Sequence, residues 1–181
     1  MDYVARRGGF SCVIVMKSFD SFNLHPSLLK AVQACGFATP TPIQEQAIPV
    51  VMAGGDLMAS AQTGTGKTAA FVLPILHRLL TTSAGQGRGP RVLVLAPTRE
   101  LAGQVTEDIA KYSRFSRIHS GSVVGGLSYG PQIQLLQRPL DLLVATPGRL
   151  LDHMNAGRVD YSRLDVFILD EADRMLDMGF I

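Results

Sequence analysis

Only two cysteines, Cys12 and Cys35, occur in the 181 residues, and no metal-ligand spacing links them. Two thiols are too few for a disulfide framework, so both are expected to stay reduced and the core must hold the fold. Histidine is as sparse. His25, His77, His119 and His153 stand alone in sequence, which argues against a His-based metal site. Charged residues make up 18% of the chain and apolar ones 46%, a balance that excludes a disordered polymer. The net charge of +2 neither argues for nor excludes a polyanionic partner, because acidic residues elsewhere can offset a basic face. No apolar stretch approaches a membrane span. Arg6-Arg7 ahead of the apolar run 10–16 faintly resembles an export signal, but the run is short, Lys17 interrupts it, and no small-residue cleavage site follows. A cytoplasmic protein without membrane contact is expected. An internal repeat is missing too, and so is a dinucleotide fingerprint, since Gly64-x-Gly66 lacks a third glycine.

What is present is Ala61-Gln62-Thr63-Gly64-Thr65-Gly66-Lys67-Thr68, between a short apolar run at 57–60 and an apolar helical run at 69–80. Strand, glycine loop and helix in that order are the setting of a P-loop. Glycines at 64 and 66 let backbone N–H groups turn inward as an anion nest, and a helix starting near Lys67 adds its N-terminal positive end. Lys67 can then reach outer phosphates, and the Thr68 hydroxyl can hold Mg²⁺.

Residues 1–17 have no period that would place them in a core and are expected to be a poorly ordered extension, with Met1 and Met16 both candidate starts. A helix should begin at Pro26 and end at Gly36, with Leu28, Leu29, Val32 and Cys35 as its apolar stripe. Thr41, Pro42 and Gln44 read as N-cap, first helical residue and capping-box partner of the next helix, which Pro49 should kink. On chemistry alone the cap is the simpler role for Gln44, although an amide that donates and accepts also suits an adenine edge. The P-loop helix should be interrupted at Pro74, and 81–90 reads as a surface linker. Strands are expected at 91–96, 122–124, 142–145 and 166–169, with helices between them. That alternation predicts an α/β fold with a mainly parallel sheet covered on both faces, and its distinctive motifs follow strands, at the edge where such sheets bind ligands.

Asp170, closing an apolar strand about a hundred residues after the P-loop, is placed to hold Mg²⁺, and Glu171 to orient or deprotonate a water. Taken together, 36–44, 61–68, Pro97 to Gln104, Gly125-Gly126, Thr146-Pro147-Gly148-Arg149 and Asp170-Glu171-Ala172-Asp173 resemble the ordered motifs of DEAD-box ATP-dependent RNA helicases. The resemblance runs over 18–181, and the opening 16–21 and closing 178–181 look most like the bacterial RhlE-type branch. It implies the N-terminal RecA-like domain, a three-layer P-loop NTPase fold with ATP and Mg²⁺ as cofactors. It implies that Gln44 reads adenine with Phe19 and Phe37 packed near the base, and that Gln62, Thr63, Gly64, Thr65, Gly66, Lys67 and Thr68 bind phosphates. Thr68 and Asp170 would share the metal, with Lys67, Asp170 and Glu171 as the catalytic set. Asp173 would couple to the neighbouring domain. Pro97, Thr98, Arg99, Gly126, Thr146 and Arg149 would lie along an RNA backbone, gripped without reading sequence. The simpler reading of Arg99 and Arg149 is pairing with carboxylates at helix starts, and Pro97 and Pro147 read as strand stops.

The family's Ser-Ala-Thr motif and its second domain, with the arginines that complete hydrolysis, do not occur in these residues. The domain is therefore expected to be C-terminally incomplete, with a gap where a central strand would lie between the P-loop strand and the Asp170 strand. A monomer that hydrolyses ATP poorly by itself is expected. Two alternatives stay open: a non-catalytic module binding adenine nucleotide and RNA, and a P-loop ATPase acting on DNA.

Overall fold

A computed structural model describes residues 6–7, 10–11, 18–60, 62, 64–83 and 85–180. Most of the expected extension lies outside those residues, which at that end include the antiparallel pair β1 (Arg6–Arg7) and β2 (Phe10–Ser11). After a 3-10 turn at Phe19–Phe22 come α1 (Pro26–Ala34), α2 (Pro42–Met52) and α3 (Lys67–Thr81). Strands and helices then alternate: β3 (Val92–Leu95), α4 (Arg99–Ser113), β4 (Ser120–Val123), α5 (Tyr129–Leu136), β5 (Leu142–Ala145), α6 (Pro147–Asn155), β6 (Val166–Leu169) and α7 (Ala172–Asp177).

The four long strands form one all-parallel sheet in the order β4-β5-β3-β6. Side chains alternate between faces along a strand. Val92, Val94, Leu142 and Val144 enter a large apolar cluster with α1, α3 and α4. Leu93, Leu143 and Ala145 enter a smaller one with Val123 and with Leu150 of α6, onto which Leu135 and Leu136 of α5 pack. Helices on two faces give the three layers. β3 and β5 read as unbroken apolar runs because both of their faces are covered.

Three expectations need correction. Residues 57–60 form no strand, and Leu57 and Met58 are 44% and 100% exposed. A strand exists only through a partner, and among the described residues β6 is bonded to β3 alone. With no strand on its far side among the described residues, β6 is an edge strand rather than one wall of the expected gap. Nor is the sheet covered on both faces along β6: Val166 and Ile168 pack on the large cluster, whereas Phe167 and Leu169 are 53% and 40% exposed. Finally, α3 runs unbroken through Pro74. An interior proline costs about 3 kcal/mol through its lost N–H and ring clash. Complete burial of Leu73 and Leu76 beside Pro74 offsets that, at roughly 1.5–3 kcal/mol for each large side chain.

The caps are as expected where local chemistry dictates them. Gly36, at φ +75°, follows α1, and the Phe37 N–H returns to the Val32 carbonyl, closing the helix in the left-handed conformation that glycine adopts freely. The segment expected as a linker is pinned rather than loose. Arg163 Nε donates to the Gly89 carbonyl and the Arg88 N–H to Ser162 Oγ. Gly89 sits at φ +81°, and a Cβ there would lie 1.9 Å from the Asp160 carbonyl oxygen.

Gly89→Ala should therefore cost at least about 2 kcal/mol, from left-handed backbone plus a clash with main chain. Gly103→Ala, inside α4 with nothing near a new Cβ, should add about 0.5–1 kcal/mol. Urea midpoints of the two variants check this, and equal shifts would contradict the packing of the 85–90 loop.

Candidate nucleotide and nucleic-acid sites

The C-terminal edge of the sheet is where the motifs converge. Gly64 and Gly66 adopt φ +82° and +84°, turning the loop so that α3 begins at Lys67 with its free N–H groups facing a cleft of about 520 Å³. Gln62, Gly64, Gly66, Lys67 and Thr68 line that cleft, with Asp170 and Glu171 opposite. The Thr65 hydroxyl instead donates to the Gln62 carbonyl at 2.7 Å, bracing the loop. Thr63 and Ala61 lie outside the described residues.

Gln44 is 3% exposed, and its amide works in two directions. Oε1 accepts from the Thr41 N–H at 2.9 Å, and Nε2 donates to the Gly66 carbonyl at 3.1 Å. It closes the helix start, as local chemistry suggested, and also ties α2 to the P-loop. Phe37, Thr39 and Thr41 continue the wall beside it, and the Thr41 Oγ1 is buried without a hydrogen-bond partner. Phe37 stacks on Phe19 with centroids 6.3 Å apart. Phe19 is 4% exposed and does not line the cleft, so it supports Phe37 from behind and would not meet a base itself.

Asp170 is the electrostatic centre. Its carboxylate is buried and lies 3.5 Å from Lys67 Nζ. Burial pushes its pKa up, and the Glu171 carboxylate adds to that; the Lys67 ammonium pulls in the opposite direction without winning. A buried carboxylate lining the same cleft as Thr68, whose hydroxyl is a second hard oxygen, offers the donors that Mg²⁺ takes. The donor set therefore fits the ion. Glu171 occupies left-handed backbone at φ +53° and keeps an ion pair of 3.6 Å with Arg174. Asp173 is exposed on α7.

A second cluster lies farther along the same edge. Thr98 caps α4 by accepting from the Leu101 N–H, leaving Arg99 exposed beside Glu100. Gly126, at φ +76°, passes so close that a Cβ would sit 3.2 Å from Arg99 Nη1. Thr146 Oγ1 accepts from the Gly125 N–H at 3.1 Å, joining the loops after β4 and β5. Pro97 is buried and shapes the turn. Arg149 turns inward: 8% exposed, it donates to the Leu127 carbonyl at 2.8 Å and stacks on Tyr129 at 4.0 Å. It therefore holds the 125–129 loop in place, closer to the structural reading than to a free phosphate contact.

Sequence reasoning missed one wall. Gln104, Asp108 and Tyr112 of α4 face the cleft, and Tyr112 packs against Phe37 at 6.1 Å. Their i, i+4, i+8 spacing puts them on one helix face, which is the signal that could have found them.

Because Asp170 titrates higher in the folded chain than in the unfolded one, the native state binds more protons there. Its contribution to stability is greatest below the unfolded carboxyl pKa and is lost as pH rises through the raised folded value. Asp170→Asn should flatten that decline in the nucleotide-free protein, seen as a smaller fall in Tm as pH rises above the ordinary carboxyl range. An unchanged pH slope would contradict burial as the dominant influence.

Residues 41–181 match the DEAD/DEAH box helicase family. The chain is 51% identical over 166 residues to a probable ATP-dependent RNA helicase, ddx27, of Dictyostelium discoideum, covering 91% of this chain and 21% of that protein. It is 45% identical over 168 residues to the ATP-dependent RNA helicase RhlB of Xanthomonas axonopodis pv. citri, strain 306, covering 91% and 29%. It is also 45% identical over 166 residues to DEAD-box ATP-dependent RNA helicase 20 of Arabidopsis thaliana, covering 91% and 33%. The chain thus spans between a fifth and a third of the length of these relatives. With most of its length matched, and with the P-loop and Asp170 meeting across one cleft, the chain belongs to the DEAD/DEAH box helicase family.

Proposed function

We propose that the chain is the ATP-binding domain of an RNA helicase, in which nucleotide hydrolysis drives the opening of short RNA duplexes. The observation that carries this reading is the single cleft shared by Gln44, the P-loop and the Asp170-Glu171 pair. Gln44 keeps one amide N–H and one lone pair beyond the two bonds it already makes, enough for the paired donor and acceptor of an adenine edge. Phe37 and Tyr112 offer the base an apolar wall. The Gly64 and Gly66 nest with the start of α3 would take the phosphates, with Lys67 on the outer ones.

Thr68 and Asp170 would hold Mg²⁺, which supplies charge neutralisation at the phosphates. Among the described residues no three His, Cys, Asp or Glu side chains converge on a metal position, so water and nucleotide oxygens would complete its shell. Glu171 lines the cleft next to Asp170 and would orient the attacking water and accept its proton. RNA phosphates would rest on Arg99, Thr98, the Gly126 N–H and Thr146, contacts that fix a strand without reading its bases. Asp173, exposed on α7, would meet the second helicase domain. A cytoplasmic monomer completes the proposal; no helix among the described residues is long and apolar enough to cross a membrane.

A thermal melt tests the nucleotide half. At a hundred times its Kd, Mg·ADP should stabilise the chain by about 2.7 kcal/mol, roughly 5–10 °C for this size, with Mg·GDP well below that. Gln44→Ala should erase the preference, whereas Lys67→Ala should weaken both nucleotides. Equal shifts with ADP and GDP in the unaltered chain would sink the adenine reading.

A further inference from the structure

At the opposite edge of the sheet, a cavity of about 630 Å³ is lined by Arg88, Arg138, Arg158 and Arg163, with Asp160 as the lone acid in its wall. With the Arg163 guanidinium facing Asp141, the remaining three guanidinium groups share the cavity with the single carboxylate of Asp160. The place is fixed by topology. Gly89 precedes β3, Pro139 precedes β5 and Arg163 precedes β6, so the cavity opens at the strands' N-terminal ends. Four-residue strands at about 3.3 Å per residue separate it from the nucleotide edge by at least about 13 Å. It is distinct from the Arg99 and Gly126 cluster.

The cavity is built rather than incidental. Arg163 is its fixed member, with Nε on the Gly89 carbonyl, Nη2 on the Leu140 carbonyl at 3.0 Å, and Asp141 at 3.9 Å. Gly87 and Gly89 let the loop lie against 160–163, where a Cβ on either would collide with Ser162 Oγ or the Asp160 carbonyl. The Asp160 carboxylate is already engaged, accepting from the Ser162 N–H at 2.7 Å. Arg88, Arg138 and Arg158 are exposed, and none forms an ion pair within 4 Å among the described residues. The Ser162 N–H holds the Asp160 carboxyl low, and of the three arginines only Arg88 is near enough to help. Like charges held around one concavity repel unless an anion sits between them, and planar guanidinium forks match phosphate oxygens in pairs. The lining has Ile133, Leu136 and Pro139 but no aromatic ring, so it offers a base nothing to stack on.

We propose that Arg88, Arg138 and Arg158 form a second phosphate-binding site, which takes the backbone of an RNA strand running past the rear edge of the domain. The choice of RNA as the source of phosphate rests on the function proposed above; the phosphate chemistry does not.

The test measures binding of a labelled oligouridylate by anisotropy across a salt series, for the unaltered chain, the triple variant R88Q/R138Q/R158Q and Arg99→Ala. Each single-strand phosphate contact contributes about 0.7 to the slope of log K against log salt. The triple variant should lose about 2 from that slope and Arg99→Ala less than about 1. The triple lysine variant should retain the slope, which separates lost charge from lost fold, and all variants should keep the parental Tm. In parallel, inorganic tripolyphosphate is titrated against the same triple variant in a Lys67→Ala background, where the P-loop no longer competes. A slope that is unchanged while tripolyphosphate binding is lost would keep the phosphate site and assign it to free polyphosphate. If oligouridylate fails to bind even the unaltered chain, the RNA reading fails and the tripolyphosphate arm alone decides the site. No change in either arm overturns the proposal.

Discussion

The side-chain amide of Gln44 is the contact on which the cleft's geometry depends. It is nearly inaccessible to solvent, accepts from Thr41 and donates to the carbonyl of Gly66. Neither bond can be surrendered cheaply, because an unpaired buried amide costs about 1–3 kcal/mol. The constraint reaches into the P-loop itself. A Cβ on Gly66 would stand 2.4 Å from Gln44 Nε2, so the position needs glycine for close approach as well as for its φ of +84°. The part of the cleft that would recognise a base and the part that would cradle phosphates are thus one rigid unit. Capping and adenine recognition, which compete as explanations in sequence, are compatible in three dimensions because an amide carries two donors and two lone pairs.

Around that unit the sheet distributes its chemistry between two edges. Parallel strands all deliver their C-terminal ends to one side, so Thr98, Gly126, Thr146 and Asp170 converge there, and the start of α3 brings Lys67 to within 3.5 Å of Asp170 although about a hundred residues separate the two in sequence. The loops entering the strands collect on the other side, and that is where the arginine cavity lies. Nothing local in the sequence joins Arg88, Arg138 and Arg158. Only the strand order β4-β5-β3-β6, which seats β5 and β6 on either side of β3, brings the segments before them together.

That contrast also marks how much could be read in advance. Helix starts at Pro26 and Pro42, the glycine end at Gly36, strands 142–145 and 166–169, and the P-loop were legible because each depends on a few adjacent residues. Residues 57–60 looked like a strand for the same reason, yet strand formation depends on a partner that the pattern does not contain. The inward turn of Arg149 depends on the Leu127 carbonyl and the Tyr129 ring, supplied by the loop after β4 and by the first residue of α5. Pro74 was misread in the other direction, since propensity counts the lost hydrogen bond but not the burial of Leu73 and Leu76 that outweighs it.

The strained backbone at Glu171 follows from the same interplay of local cost and distant packing. A residue with a side chain in the left-handed region costs about 1–2 kcal/mol, and it persists only where its surroundings over-determine it. Here the two flanks do so. Asp170 is buried, and its N–H is bonded to the Leu95 carbonyl. Met175, fully buried, donates from its N–H to the Glu171 carbonyl at 3.2 Å and anchors α7 from below. A turn fixed at both ends leaves Glu171 no relaxed alternative, and the left-handed kink places its carboxylate on the cleft wall directly after that of Asp170. Two adjacent acids can then face one cavity, which an extended strand, sending successive side chains to opposite faces, would not allow.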